Sequence, residues 1–501
     1  MGSVAKGFMG RLSSWRAGAV GVAALMMVPT VLVGVASAEE PVVPCGAVIT
    51  KNTKLVADVG PCPGLGLIVG ASNITLDLNG HRVSGDPQAR VSPDKPGLLL
   101  RGVSRVTIMG GTVEGFDAGV IIMGGGSNTV KNLTAKDNVN YRVVTGRDSQ
   151  RKDVKSTDGP FCDLGDGIAV FGSGGNVLKQ NKIIGNGPFS GVSMIGGSSD
   201  NVVKGNRFVD NDVLNDTPEG YGTICGANIQ GPADNPPPFE PPPDPPLNCC
   251  ATTGRHVQDV GVRIEGPGAQ RNLIDSNQLR TSGLMGIMVH AYNTMAGQQP
   301  NSYTVIRKNY ITETAKIGHK IDRQGHGIYV HQPGPPFVFA SPFTLIEGNV
   351  SSGNFGGGIF LDSKGTLHST TVRNNVVNRN GLDGLYVNGP GSTAGSPNML
   401  VNNVGRGNGD RAEEVNNGPD FRANYFGTDG SDSSVGCVRN SWSGNKFGTV
   451  NQECVKANGG TGTVIVPAPA QAASVAQAGL GSGSEGDDGL MPRRVPLWNG
   501  R

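Results

Sequence analysis

The chain has 501 residues, of which 79 are glycine, 16% are charged and 5% are aromatic. Glycine at about twice its usual share disfavours a helical protein and points to short strands joined by many tight turns; the lack of a three-residue glycine period excludes collagen, and 37% hydrophobic residues exclude wholesale disorder. With 42 basic and 40 acidic residues the formal charge is +2, which leaves no overall footprint for nucleic acid or membrane.

In chain order, Lys6, Arg11 and Arg16 precede an uncharged run from Ala17 to Val35 that ends in Ala36-Ser37-Ala38, a small-x-small cleavage pattern. Residues 1–38 therefore read as a signal peptide, with a secreted, extracellular or cell-envelope protein beginning near Glu39. An uncleaved anchor helix is the rival reading, against which stand Pro29 and the cleavage pattern. Eight cysteines follow, an even number in an oxidising compartment. Cys45 and Cys62 are 17 residues apart, as are Cys437 and Cys454, so each pair is expected to form a disulfide. Cys162, Cys225, Cys249 and Cys250 are expected to pair among themselves in an order the spacing leaves open.

From Gly66 onward a repeat sets the architecture. Ten segments start with Gly and alternate apolar residues, beginning with Gly66-Leu67-Ile68-Val69 and ending with Gly384-Leu385-Tyr386-Val387. The first and third residues after each glycine are apolar throughout, the period-2 signature of a strand with one buried face. Asparagines recur behind these segments, at Asn132, Asn181, Asn206, Asn277, Asn309, Asn349, Asn375 and Asn403 and again at Asn186, Asn211, Asn354, Asn380 and Asn408. Turn chemistry and coil-to-coil amide ladders explain them better than ligand binding does. The tightest glycine spacings, 22 to 26 residues, fit three short strands and three turns. The expected fold is all-β: a right-handed parallel β-helix, a solenoid of about ten or more coils over residues 39–458. Insertions are expected near 139–165 and 212–258, the second carrying nine prolines between Pro232 and Pro246. Residues 459–501 read as a disordered low-complexity tail.

The stretch GLIVGASNITLDLNGHRVSG from Gly66, the coils to about Asn408, and CVRNSWSGNKFGTVNQECV from Cys437 resemble the secreted bacterial right-handed parallel β-helix proteins of the pectate-lyase-like superfamily. That resemblance implies the fold; for activity it implies only a range of polysaccharide lyases, hydrolases, epimerases and binding proteins. Gly325-His326-Gly327 resembles the GHG of polygalacturonase-like hydrolases, and Gly165-Asp166-Gly167-Ile168 their Asp-bearing strand. The basic RIK partner expected after the histidine is absent, and Arg263-Ile264-Glu265 precedes it instead.

If the first and third residues of each strand point inward, the second and fourth face solvent in columns. Toward the N-terminus these columns are apolar, with Ile121, Met123, Phe171 and Ile195, and insertions are expected to cover them. Toward the C-terminus one column carries Glu265, His290, His331 and Asp362, and its neighbour carries Arg263, Tyr329, Phe360 and Tyr386. Aromatics beside carboxylates and imidazoles suit a sugar-binding groove. For hydrolysis the candidate carboxylates are Asp362 and Asp383, assisted by His331. For a lyase or epimerase, His290 or His331 would abstract a proton next to a uronate carboxylate that Arg263 neutralises. The residues leave these chemistries open. The expected partner is an extracellular polysaccharide, without nucleic acid or membrane after signal cleavage, and the chain is expected to be monomeric. No dedicated cofactor or metal site is expected, although His290 and His331 with Asp362 or Glu265 form a possible divalent-metal set. The alternative is a non-catalytic glycan-binding or cell-surface protein.

Overall fold

The computed structural model describes residues 42–86, 96–139, 165–187, 189–211, 260–290, 300–315, 325–331, 342–363, 365–412 and 425–465. The signal-peptide segment, most of both long insertions and Cys162, Cys225, Cys249 and Cys250 lie outside the described residues.

The described residues form 35 strands, each paired in parallel with its equivalents in neighbouring coils. All ten Gly-led segments stack in register: Leu67 opposes Leu98, Leu98 opposes Val120, and Val262, Ile287, Ile328, Ile359 and Leu385 continue the same row. The first and third residues of every Gly-led strand are buried, and they join one continuous core with the apolar faces of the other strands. Glycine leads each strand for a steric reason. A Cβ at Gly286 would lie 2.5 Å from the carbonyl oxygen of Gly327, and one at Gly358 would lie 2.5 Å from that of Gly384. The repeat thus marks where successive backbones approach too closely for any side chain.

Behind the Gly-led sheet a second sheet runs through Val177–Lys179, Val202–Lys204, Leu273–Asp275, Val305–Arg307, Leu345–Glu347 and Thr371–Arg373. A third runs through Lys182–Ile184, Arg207–Asn211, Gln278–Ser282, Tyr310–Thr312 and Val350–Ser352. At the turn between them the amides form a ladder. Each Nδ2 donates to the next Oδ1, from Asn181 to Asn206 at 3.0 Å, then through Asn277, Asn309, Asn349, Asn375 and Asn403 to Asn445 at 2.9 Å. A parallel ladder joins Asn354, Asn380 and Asn408 and ends on the carboxylate of Asp429.

Asn132 departs from the expected pattern. It is exposed, and Leu133 occupies the ladder position, its backbone N–H donating to Asn181 Oδ1 at 3.0 Å. Asn132 has φ 52°, the left-handed conformation that asparagine tolerates, so it is placed by the turn rather than by the ladder.

Disulfides Cys45–Cys62 and Cys437–Cys454 close the two ends, with Cα separations of 5.5 and 6.0 Å. Strand structure also continues past residue 458, because Thr461–Val464 pairs with Lys446–Val450, beyond the start expected for the tail. Among the described residues no helix is long and apolar enough to cross a membrane.

Candidate functional site

Backbone register builds the two expected columns. Ile195, Glu265, His290, His331, Asp362 and Asn388 oppose one another in sequence along the Gly-led sheet, as do Ser193, Arg263, Met288, Tyr329, Phe360 and Tyr386. Neighbouring members stand one strand spacing apart, about 4.8 Å.

The expectation that these columns face solvent is corrected. Ile121, Arg263, Met288, Phe360, Tyr386 and Asp362 are all buried, and Tyr329, Glu265 and His290 are half-buried. Period-2 alternation separates the two faces of a strand but does not state what lies beyond the outer one. Over Phe360 and Tyr386 the cover includes Leu382, Ala412 and Tyr425, with Phe426 packed against them. Phe360 stacks on Tyr386 with centroids 4.9 Å apart and planes 4° apart, and Tyr329 lies 5.2 Å from Phe360 on the other side. This aromatic row contributes strand-to-strand stability.

Arg263 is not placed to greet an anionic substrate. Its side chain is fully buried, its Nη1 lies 2.6 Å from Glu265 Oε2, and its guanidinium sits 4.1 Å from the Phe189 ring centroid. The pair neutralises a charge that would be costly to bury alone. The role expected for Arg263, neutralising a substrate carboxylate, is therefore replaced by one of holding Glu265.

Asp362 accepts a 2.8 Å hydrogen bond at Oδ1 from the Asn388 amide, whose own oxygen accepts from the Tyr386 and Ser433 hydroxyls at 3.3 and 3.2 Å. The Tyr386 hydroxyl is pushed well above its ordinary range by burial, with the nearby Asp383 charge adding to the effect.

Asp383 lies off this column. Oδ2 accepts from the Phe426 N–H at 3.0 Å, and Oδ1 accepts from the Thr428 N–H at 3.0 Å, the Thr428 hydroxyl at 3.3 Å and the Ser431 hydroxyl at 2.7 Å. Burial pushes its carboxyl up to about 6, against the opposing pull of the Thr428, Ser431 and Phe426 donors. Both oxygens are engaged by the segment that covers the aromatic row, so Asp383 is a clasp and is not disposed to activate water beside Asp362.

His326, from the Gly-His-Gly motif, is buried in the same aromatic group. Its Nδ1 accepts from the Gly357 N–H at 2.9 Å, which leaves the proton on Nε2, 3.5 Å from the Tyr425 hydroxyl. Sequence reasoning missed Tyr425, Phe426 and the strand Gly430–Asp432 that follows Leu385–Asn388 in the Gly-led sheet, because that strand breaks the alternation. Its Asp432 points to the buried side, bonded to Asn440 Nδ2 at 2.9 Å and Trp442 Nε1 at 3.1 Å, with burial raising its pKa. The usable signal was Tyr425-Phe426 beside a Gly-Thr-Asp-Gly run. Among the described residues no group of three or more His, Cys, Asp or Glu is arranged to hold a metal ion.

Stacked coils with a glycine-led sheet and amide-laddered turns define a parallel β-helix. The chain belongs to the family described as the right handed beta helix region, whose model matches residues 66–208 and 248–426. A 3-dehydroshikimate dehydratase of Acinetobacter baylyi (strain ATCC 33305 / BD413 / ADP1) is 24% identical over 355 residues, covering 68% of this chain and 63% of that protein. The chain thus spans less than two thirds of that relative's length. Among solved structures, the Dettilon tailspike protein is 14% identical with a TM-score of 0.42, covering 80% of this chain and 58% of that one. The A-module of a mannuronan C-5 epimerase from Azotobacter vinelandii is 11% identical with a TM-score of 0.39, covering 72% and 76%. A pectate lyase is 13% identical with a TM-score of 0.31, covering 73% and 66%.

Proposed function

We propose that this chain is an exported carbohydrate-active protein that acts on an extracellular polysaccharide through the Gly-led sheet between about residues 260 and 390. One observation carries the reading: Glu265, His290, His331 and Asp362 occupy one repeat position on four consecutive coils. Two histidine positions thereby fall between two carboxylate positions, next to the half-buried Tyr329, the member of the aromatic row that keeps some exposure.

Within that reading, proton abstraction is favoured over inverting hydrolysis. Hydrolysis with inversion needs a second carboxylate free to activate water, and Asp383 is committed to the 426–431 segment. A neutral imidazole at His290 or His331 is suited to take the proton from a carbon next to a uronate carboxylate, since its ordinary pKa lies near neutrality. Elimination then breaks the bond to the glycosidic oxygen on the adjacent carbon, which leaves with a proton as a new hydroxyl end, and gives an unsaturated sugar; return of a proton to the opposite face gives an epimer with no bond to oxygen broken.

The test is incubation of the protein with uronate-containing and neutral polysaccharides, following ultraviolet absorbance and reducing ends together. Absorbance that disappears in His290→Ala or His331→Ala supports the reading. Reducing ends without absorbance would replace it with hydrolysis; with neither signal, exchange of solvent deuterium into the sugar would indicate an epimerase, and binding without exchange would leave a glycan-binding protein. A second reading, dehydration of a small hydroxylated ring, draws on the similarity to the 3-dehydroshikimate dehydratase. Adding 3-dehydroshikimate to the same panel separates the two.

A further inference from the structure

The outward positions of the second and third sheets carry a pattern that neither the core nor the candidate column explains. Lys131, Lys179 and Lys204 oppose one another directly on three consecutive coils, so three ammonium groups leave the backbone at strand spacing, about 4.8 Å. Across the turn, Lys182 and Arg207 form a second basic pair in register. Like charges directly opposite destabilise a sheet, and here the same sign is repeated in two adjacent columns.

Elsewhere on the second sheet the signs alternate. Asp275 lies 3.2 Å from both Lys204 and Arg307, and Glu347 lies 2.9 Å from Arg373. The relief is missing where the basic columns meet. Lys131, Lys179, Lys182 and Arg207 make no ion pair with a described residue, and Lys182 and Arg207 are exposed. On the turn that follows, Asp137 is paired with Lys136 at 3.0 Å.

We propose that this face, from Lys131 to Arg207, is a binding surface for a linear anionic polysaccharide lying along the solenoid axis. The columns present one cation per coil, a spacing comparable with one charge per sugar, so a chain carrying a carboxylate on each residue meets a cation at each step. The unrelieved repulsion in the free protein becomes favourable once that polyanion is bound. Single-stranded nucleic acid fits the surface less well, since it is held by aromatic stacking platforms and the two columns carry none between Lys131 and Arg207, the exposed Tyr310 lying two coils beyond Arg207. A membrane surface would call for an apolar face beside the charges. The surface is on different sheets from the Glu265–Asp362 column and does not depend on the chemistry assigned there.

The experiment measures binding of the full chain to polygalacturonate and to neutral dextran of matched length over a salt series. Wild type is expected to bind polygalacturonate at low salt, with affinity falling steeply as salt rises, and to ignore dextran. The triple variant Lys179→Gln/Lys182→Gln/Arg207→Gln is expected to lose at least about tenfold in affinity, with a slope of log affinity against log salt shallower by about two. Its melting temperature should be equal to or above that of wild type, because like-charge repulsion has been removed. Lys182→Arg keeps the charge and should keep the affinity. Turnover assigned to the Glu265–Asp362 column should be unchanged in the triple variant, whose three positions lie on other strands, which separates failure of the surface from failure of the candidate column. Unchanged affinity in the triple variant, absence of wild-type binding at low salt, or equal binding to single-stranded DNA or phosphatidylserine vesicles would each overturn the proposal.

Discussion

The outer face of the Gly-led sheet and the outer face of the second sheet begin from the same backbone repeat and end in opposite surroundings. On the first, Arg263, Phe360 and Tyr386 are buried and the carboxylate of Asp383 is tied to a covering segment. On the second, Lys204 and Arg373 are exposed, Arg307 is half-buried, and they pair along the axis with Asp275 and Glu347. The solenoid therefore does not decide exposure. Chain outside the coils does, and it has been placed over the sheet whose outward residues are aromatic and ionisable.

If that division is functional, the largest effects should come from the covered face. His331→Ala is expected to reduce turnover by about 1,000-fold, the order seen for loss of a general base, with secondary structure by circular dichroism unchanged. Survival of turnover would make the covered face purely structural.

Next in size is Asp383→Ala, which strands the N–H groups of Phe426 and Thr428 and two hydroxyls. A loss of about 3 kcal/mol in urea unfolding is expected. This group also carries a pH signature. Its carboxyl is raised to about 6 by burial, so between about pH 4 and pH 6 the folded chain keeps a proton that the unfolded chain releases. Its contribution to stability is fully present below pH 4 and is lost as pH rises through 6, by about 3 kcal/mol in all. Comparing wild type with Asp383→Asn at pH 4 and pH 7 reads that difference; a gap that does not change with pH would mean the carboxylate is ionised throughout.

Asn309→Ala removes one ladder rung and leaves its neighbours' amides short of a partner, for an expected cost of about 2 kcal/mol by denaturant titration. The smallest effect belongs to the second face. Glu347→Gln breaks a partly exposed pair and should change stability by less than about 0.5 kcal/mol, a change that vanishes at high salt, with turnover untouched. A larger loss there would blur the contrast between the two faces.

The same contrast explains what the sequence made legible. The ten strands and their inward residues were readable because a backbone contact enforces each glycine and a shared core enforces each apolar pair. The two terminal disulfides were readable from spacing within short loops. The burial of Phe360 and Tyr386 was not readable, because it depends on segments that carry no period, such as Tyr425-Phe426. Nor could the commitment of Asp383 be seen, since its partners are main-chain N–H groups more than forty residues away. Asn132 misled because asparagine serves two roles in this fold, as a ladder rung and as a left-handed turn residue, and composition does not separate them.

The amide ladder has one more consequence, for how such a chain can change over evolutionary time. Asn181 and Asn206 are 25 residues apart in sequence, and Asn206 and Asn277 are 71 apart, yet both amide contacts measure 3.0 Å. A rung registers only its neighbour in space and is blind to the length of chain between. New segments can therefore be spliced between coils without the scaffold losing count, leaving the covering parts free to diversify while the framework that presents them stays fixed.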